Sequence, residues 1–452
     1  MDARLVRPAD PTRFGHGAGL STEARMNSSE RRWIGMSAAF ATSNLARTAI
    51  SFATSLVIAR SLGVDDFGRW TLCTAWAAAL TTAVDFGFGV LLTRDAARGD
   101  PSIGRAVAVA FVARFGALVP VAVLFVLGPS YLSADSATSA GLRIVPFIAI
   151  AGVAYGCLAP VFRAWPRALV IALVIETAGA IAQWAGAWFL VQAGMGLVDL
   201  LVLAAVVQAM QFAAAVGLWL RIAGSRSRVE WPSWTTLVGT MRDAWPFAAA
   251  GLVANAQLRL APLLLGFLAA PAAVAAFGVA SRIGGVVRML PQAAFAGALP
   301  VLSHEVRHGA GDRVRIRFDR TLAAFVVIAA VVVTVFAAPI VSWTYGKGFG
   351  GAVVPLVWTG IGLIPTIVNG GRKVYLYACG QEGVAVRWSA VALALQAAAC
   401  AALIPSFGAA GAAAGLAAGE AAVWWPLFKA GVQPRELGRA PVGVVGDSPL
   451  VG

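Results

Sequence analysis

Twelve apolar stretches of about 20 residues each follow Trp33, and they restrict what this chain can fold into. A helix rises 1.5 Å per residue, so about 20 apolar residues cross a hydrocarbon core of ~30 Å. The stretches are too long, and alternate too little, to be strands of a membrane barrel. They therefore predict an all-α polytopic membrane protein.

The composition supports this prediction. Of the 452 residues, 59% are hydrophobic and 12% are charged. Soluble domains are nearer 25% charged, so a soluble enzyme and a disordered chain are excluded. The predicted spans are residues 34–59, 70–92, 106–127, 142–162, 168–191, 197–220, 244–268, 272–299, 321–343, 352–378, 385–405 and 408–428.

The longest central loop divides the spans into six and six. Residues 1–32 contain no apolar core and no small-residue cleavage site, which argues against a cleaved signal peptide. The predicted segments are a disordered cytoplasmic tail at 1–32, an N-terminal six-helix lobe at 33–220, a cytoplasmic linker at 221–242, a C-terminal six-helix lobe at 243–428 and a cytoplasmic tail at 429–452.

Basic residues predict the orientation in the membrane. With both termini in the cytoplasm, 24 of the 35 Lys and Arg residues lie in cytoplasmic segments and eight lie within spans. Only Arg60, Arg69 and Lys347 lie outside. Such a bias is the usual mark of cytoplasmic loops. It also accounts for the net charge of +14, so no nucleic-acid partner is predicted.

Several short motifs resemble a known family. Residues 59–70 resemble the first external turn of polysaccharide-type flippases, which belong to the multidrug/oligosaccharidyl-lipid/polysaccharide exporter (MOP) superfamily. Asp85-Phe86-Gly87-Phe88-Gly89, followed by Arg94-Asp95, resembles the second helix of that family and its cytoplasmic exit. In the second half, residues 277–282 and 299–303 resemble the matching helix.

The resemblance implies a fold and a function. Two six-helix lobes would face each other around a central cavity that opens to one side at a time. The substrate would be an undecaprenyl-pyrophosphate-linked oligosaccharide, moved to the external leaflet of a bacterial inner membrane for O-antigen, capsule or exopolysaccharide assembly. Membrane lipids would surround the protein, and a polysaccharide polymerase and co-polymerase are candidate partners. No cofactor is expected.

Several arginines lie deep within the predicted spans. An ionisable side chain there costs about 2.5–3.5 kcal/mol, so it should face a cavity or a charged partner. We predict that Arg47, Arg259, Arg282 and Arg288 line the cavity and bind a pyrophosphate, because the guanidinium fork matches phosphate oxygens. The alternative is internal ion pairing, for example of Arg47 with Asp85.

Two carboxylates are candidates for ion coupling. Asp85 and Glu176 lie within predicted spans and could carry a proton or a sodium ion. Structural ion pairing explains them equally well. Arg372 and Lys373 are expected at a cytoplasmic helix end, where they would meet lipid head groups.

Uncharged residues within the spans give two further predictions. The amides Asn44, Asn255, Gln257 and Asn369 could contact sugar hydroxyls, although hydrogen bonds between helices explain them equally well. Gly411, Gly415 and Gly419 recur every four residues and predict a smooth face for close helix packing.

Other classes of function remain as alternatives. The first is a cation-coupled small-molecule exporter of the same fold, which should carry acids in its cavity, whereas deep arginines dominate here. The second is a membrane enzyme. His304-Glu305-Val306-Arg307-His308 fits the zinc metalloprotease pattern, but the only other histidine is His16. Short external loops leave little room for the site of a glycan polymerase.

Overall fold

The computed structural model describes residues 17–100, 102–133, 135–222, 231–307 and 311–432. These residues are almost entirely helical, and no strand occurs among them. Two short 3-10 helices, Pro129–Tyr131 and Lys347–Ala352, lie in connections. The α-helices are α1 (Gly17–Ala83), α2 (Phe88–Ala97), α3 (Ile103–Leu127), α4 (Ser136–Leu142), α5 (Val145–Ala164), α6 (Pro166–Gln192), α7 (Leu197–Ile222), α8 (Trp234–Leu268), α9 (Pro271–Arg307), α10 (Gly311–Val335), α11 (Ala337–Thr344), α12 (Val353–Ala378) and α13 (Glu382–Val432).

Ten helical stretches of the described residues are long and apolar enough to cross a membrane. Two of them, Ala39–Ala83 and Glu382–Ala430, contain 45 and 49 residues. At 1.5 Å per residue, each would measure roughly 70 Å as a straight helix, more than twice the thickness of a hydrocarbon core. Each must therefore change direction within its length.

A glycine with positive φ interrupts each of these long helices. Gly63 has φ 76° and ψ −175°, and Gly408 has φ 52° and ψ −126°. Glycine adopts such angles at little steric cost because it has no Cβ. The two glycines mark the points where the chain turns.

Contacts beyond the second interruption show an antiparallel hairpin. A Cβ on Gly411 would lie 2.3 Å from the carbonyl oxygen of Leu403, and one on Gly415 would lie 2.7 Å from Sγ of Cys400. A Cβ on Gly419 would lie 2.8 Å from an atom further back along the first arm. The predicted close-packing face of these three glycines is therefore confirmed.

Aromatic contacts reveal the turn at the first interruption. The rings of Phe52 and Phe67 both contact Tyr345, with centroid distances of 6.1 and 5.9 Å. Their separation of 15 positions would span about 22 Å in a straight helix, too far for one ring to contact both. When the arms of both hairpins are counted separately, the described residues contain twelve candidate membrane-crossing segments, which is the predicted number.

The helices form two lobes. In the first, α1 packs on α6, α2 on α5, and α5 and α6 on α7. In the second, α12 packs on α9, α10 and α13, and α8 packs on α13. The lobes meet mainly where α1 contacts α8 and α9. This confirms the predicted fold class of two six-helix lobes.

The outer surface of the lobes is apolar. Large hydrophobic side chains such as Leu127, Phe189, Met210, Ile328 and Trp425 are exposed. A soluble monomer rarely exposes a continuous apolar surface of this kind. In a bilayer the acyl chains of lipids would cover it.

Some helices begin inside segments that the sequence assigned to tails and loops. Helix α1 begins at Gly17, within the predicted tail 1–32, and α8 begins at Trp234, within the predicted linker 221–242. The rest of both tails and most of the linker lie outside the described residues. The predicted division of the chain into tails, linker and lobes therefore stays a prediction.

Gly415→Val should destabilise the protein, because a Cβ there would lie 2.7 Å from Sγ and 2.9 Å from the backbone nitrogen of Cys400. Overpacking of this kind costs about 1–3 kcal/mol. The measurement is the thermal unfolding midpoint of the purified protein in detergent. Gly217→Val is the matched control, since a Cβ on that helical glycine meets nothing within 4 Å. Equal midpoints for the two variants would contradict the hairpin packing.

Asp135 connects the start of α4 to the second arm of α1. Its carboxylate accepts hydrogen bonds from the backbone nitrogen of Thr138 at 3.0 Å and from Nε of Arg69 at 2.8 Å. These donors favour the ionised carboxylate. The Arg69 guanidinium, followed by the Thr138 hydroxyl, lowers the pKa of Asp135 to about 2.

Asp135→Asn should lower the unfolding midpoint at pH 5, and the difference from wild type should shrink as the pH falls towards 2. The folded pKa of about 2 lies below the ordinary value of 3.8. The stabilisation is therefore present above the ordinary pKa and is lost as the pH falls through about 2. Unfolding midpoints of both proteins between pH 5 and pH 2 provide the check. A wild-type advantage that grows as the pH falls would rule out this assignment.

Candidate functional site

The deep arginine of the first lobe is held by a buried carboxylate. Arg47 on α1 donates from Nη1 to Glu176 on α6, and the Tyr155 hydroxyl donates to the other carboxylate oxygen at 2.9 Å. Nη2 of Arg163 lies 3.8 Å from that second oxygen. Arg47 is therefore internally ion-paired, as the alternative expected, but its partner is Glu176 and the suggested pair with Asp85 is wrong.

Asp85 lies where the second crossing segment is interrupted. Helix α1 ends at Ala83 and α2 begins at Phe88, and Phe86 between them has φ 44°. The Asp85 carboxylate accepts a hydrogen bond from Nη2 of Arg114, a buried arginine on α3. A bulky residue with positive φ is strained and persists only when its surroundings hold it. The Asp85–Arg114 pair is a contact that holds this break.

Arg282 on α9 bridges the two lobes. Its guanidinium carbon lies 5.0 Å from the ring centroids of both Phe67 and Trp70 on α1. Its Nη1 also donates to Oγ1 of Thr71 at 3.3 Å. Cation–π contacts contribute about 0.5–2 kcal/mol each. The structure thus engages Arg282 with aromatic faces of the opposite lobe.

Arg259 on α8 and Arg288 on α9 complete the predicted set of arginines. Both are partly buried, and Nε of Arg259 is a buried donor without a hydrogen-bond acceptor among the described residues. Arg259 lies close enough to Arg282 to repel it electrostatically. Arg288 lies close enough to Glu420 to be attracted by its carboxylate. Positive charge therefore accumulates along α8 and α9.

Glu420 on α13 is the centre of a polar network in the second lobe. Nδ2 of Asn369 donates to its carboxylate at 2.7 Å, and Nε2 of Gln257 donates to the other oxygen at 3.4 Å. Nζ of Lys373 lies 3.9 Å from that oxygen, and Gln396 donates to the Gln257 carbonyl at 2.9 Å. For Gln257 and Asn369 the structure therefore shows hydrogen bonds between helices, whereas Nδ2 of Asn255 donates to the carbonyl oxygen of Gly251 on its own helix.

The expectation that Arg372 and Lys373 meet lipid head groups is wrong. Lys373 points to Glu420, as described above. Arg372 is buried, its Nη2 lies 3.1 Å from a carboxylate oxygen of Asp319, and its guanidinium carbon lies 4.6 Å from the Phe428 ring centroid. Both side chains point into the second lobe because the carboxylates of Asp319 and Glu420 attract them.

The deep charges fall into two groups. Four deep carboxylates each have a basic partner, whereas three of the arginines form no ion pair with a carboxylate among the described residues. The pairs are Asp85 with Arg114, Glu176 with Arg47, Glu420 with Lys373, and Asp319 with Arg372. The unpaired arginines are Arg259, Arg282 and Arg288. An excess of positive charge in a low-dielectric region favours an anionic ligand.

The described residues contain no group of three His, Cys, Asp or Glu side chains placed to hold a metal ion. His304 is exposed near the end of α9. His308, the second histidine of the metalloprotease pattern, lies outside the described residues. The described part of the chain therefore offers no support for that alternative.

Two side chains that lie next to the Glu176 carboxylate were not predicted from the sequence. Tyr155 lies on α5, and Arg163 lies eight residues later near the end of the same helix. Both reach Glu176 only because α5 packs on α6. Arg163 was assigned to a cytoplasmic loop, and the Tyr155 position carries no spacing signal that links it to Glu176.

One end of the two lobes is tightly closed. Arg60 donates to the carbonyl oxygens of Trp343 at 2.7 Å and Thr344 at 2.9 Å, which are free acceptors at the end of α11. The hydroxyl groups of Ser55 and Tyr345 lie 2.9 Å apart. These contacts join the turn of α1 to the second lobe. The closed end is the one predicted to face outside.

A separate apolar groove of about 580 Å³ lies between α3, α5 and α7. Phe111, Phe115, Phe147 and Phe212 are among its lining residues. It contains none of the predicted site residues, and it opens on the apolar outer surface. The charged site and this groove are therefore distinct.

The fold is similar to that of solved MOP-superfamily transporters. An inward-facing multidrug resistance MATE family transporter matches with a TM-score of 0.71 and 14% identity, over 85% of this chain and 94% of that one. The lipid II flippase MurJ, in an inward closed conformation, matches at 0.69 and 11% identity over 87% of each chain. A MOP superfamily transporter from Pyrococcus furiosus, described as having a binding pocket of reverse polarity, matches at 0.56 and 14% over 89% and 94%.

The sequence itself identifies the family. Residues 37–305 match the family model described as polysaccharide biosynthesis protein. This match covers more than half of the chain, and the chain belongs to that family. No curated protein sequence matches it. The resemblance carried by residues 59–70 and 85–95 is therefore confirmed.

Arg282→Ala should loosen the closed end, because it removes two cation–π contacts and the hydrogen bond to Thr71. Together these are expected to shift the population of the open state several-fold. The measurement is the distance distribution between spin labels at residues 65 and 347, which lie on exposed positions of opposite lobes. Arg143→Ala, at an exposed arginine, is the control. An unchanged distribution for Arg282→Ala would exclude a role in closure.

Proposed function

We propose that the protein is a flippase that moves an undecaprenyl-pyrophosphate-linked oligosaccharide across a bacterial inner membrane by alternating access. Both termini would lie in the cytoplasm. The substrate would reach the external leaflet for assembly into O-antigen, capsule or exopolysaccharide. A polysaccharide polymerase and co-polymerase are the candidate partners.

The charge pattern carries this proposal. Arg259, Arg282 and Arg288 have no carboxylate partner among the described residues, and Arg47 shares its carboxylate with Arg163. A diphosphate head group needs forked, permanently charged donors on its path. Several donors of moderate strength suit a group that must bind and then leave.

The arrangement of the lobes supports alternating access. The contacts at Arg60, Tyr345 and Arg282 close one end, and the deep charges of the first lobe lie further along the helices from that end. The positive-inside bias assigns the closed end to the outside. The protein would then be ready to accept its substrate from the cytoplasmic leaflet.

The carboxylates argue against a small-molecule exporter that binds cations. Asp85, Glu176 and Glu420 are each engaged by a basic side chain. A cationic substrate would have to displace an arginine or a lysine that is already in place. Membership of the family described as polysaccharide biosynthesis protein also favours a glycan-bearing substrate over a small molecule.

The proposal is tested by deleting the gene and analysing the lipids of the host. Loss of surface polysaccharide should coincide with accumulation of a lipid-linked oligosaccharide diphosphate in the inner leaflet. Complementation with wild type should reverse both effects. Complementation with Arg47→Ala or Arg259→Ala should fail by at least tenfold at normal protein levels, because each removes a proposed phosphate donor.

The control is Arg143→Ala, an exposed arginine outside the proposed path, which should complement. An intact glycan surface and no lipid accumulation in the deletion strain would refute the flippase. Full complementation by both deep variants would refute the arginine path and leave the transport function standing.

A further inference from the structure

We propose that Glu176 sets the affinity of the first lobe for an anionic head group by competing with it for Arg47 and Arg163. The proposal rests on the function proposed above, because it assigns a diphosphate to these arginines. It gives Glu176 a role other than the ion coupling that its position within a span suggested.

Two guanidinium groups converge on this single carboxylate. Arg47 donates to one of its oxygens, and Arg163 lies 3.8 Å from the other. The Tyr155 hydroxyl donates to that second oxygen at 2.9 Å and fixes its position. The side chains come from α1, α5 and α6, so the cluster joins three helices of the first lobe.

The exposure of the three charged groups is unequal. The Glu176 side chain is 7% exposed, whereas those of Arg47 and Arg163 are 36% and 46% exposed. The carboxylate therefore lies at the base of the cluster, and the arginines extend from it to the surface. Each guanidinium carries five N–H donors, and Glu176 uses only a few of them.

The charge of the cluster follows from these partners. Two arginines and one ionised carboxylate leave a net charge of +1. A diphosphate that approaches the exposed donors is attracted by both guanidinium groups and repelled by Glu176. Because the carboxylate is buried, water screens this repulsion weakly.

A transporter benefits from this arrangement. The head group must bind on one side and leave on the other, and two arginines without a counter-charge would hold a diphosphate tightly. Glu176 offers the arginines an internal partner to which they return when the substrate leaves. It thereby weakens binding and speeds release.

The test compares wild type with Glu176→Gln, which removes the negative charge and keeps the shape of the side chain. Calorimetry on the full-length protein in nanodiscs would use inorganic pyrophosphate and farnesyl diphosphate as probes. We expect Glu176→Gln to bind both at least tenfold more tightly. In proteoliposomes, transfer of a fluorescent polyprenyl diphosphate between leaflets should show a lower KM and a lower kcat.

Two further variants separate competition from a structural role. Glu176→Asp restores the charge and should return affinity and kcat towards wild type. Asp85→Asn removes a carboxylate from another deep ion pair of this lobe, whose arginine is buried. Equal tightening by Asp85→Asn would assign the effect to the overall charge of the lobe and overturn the proposal.

The remaining outcomes are equally decisive. If Glu176→Gln binds the probes as weakly as wild type or more weakly, Glu176 orients the arginines without competing with the ligand. This inference then fails, and the proposed function stands. If wild type binds neither probe, and Arg47→Ala complements the deletion strain fully, the arginine path and this inference both fail. The transport function itself fails only if the deletion strain keeps its surface glycan and accumulates no lipid-linked oligosaccharide.

Discussion

The cost of carrying charge into the hydrocarbon region governs this structure. A charged side chain within a span needs a partner or a cavity, and the helices are arranged so that the deep carboxylates have partners. Glu176 draws together three helices of the first lobe, and Glu420 draws together three of the second. The same requirement stabilises the break before α2, where Arg114 holds Asp85. The ion pairs therefore contribute to the positions of the helices as well as to the electrostatics of the site.

The two lobes meet at a contact of a different kind. Aromatic rings on the second arm of α1 accept the Arg282 guanidinium, and the Tyr345 ring packs between Phe52 and Phe67. A cation–π contact is weaker than a buried ion pair, and it can be broken without leaving an unpaired carboxylate. Such a contact suits an interface that opens and closes. Within each lobe the deep ion pairs each include a buried side chain, such as Glu176 or Arg114, whereas the joint between the lobes uses contacts that can be released.

The sequence predicted the fold better than it predicted the pairs. Helix length and apolar composition determined the number of crossings, and the four-residue spacing of Gly411, Gly415 and Gly419 predicted a close helix contact that the structure contains. The suggested pair of Arg47 with Asp85 was wrong, because each residue has a nearer partner on another helix. The assignment of Arg372 to lipid head groups was wrong for the same reason, since Arg372 forms an ion pair with Asp319 on α10. Hydropathy reports depth in the membrane, and it carries no information about rotation around the helix axis.

The sequence by itself therefore determined the class of protein, the crossing segments and the excess of deep arginine. These properties depend on composition and on spacing along one chain, and the bilayer acts on each span separately. Only the tertiary structure decided which arginines are engaged and which are unpaired. Partners such as Arg47 and Glu176 lie 129 residues apart, and their contact depends on how α1 packs against α6. Small-residue and apolar helix faces allow many such packings, so the pairing of charges emerges only when all the helices are in place.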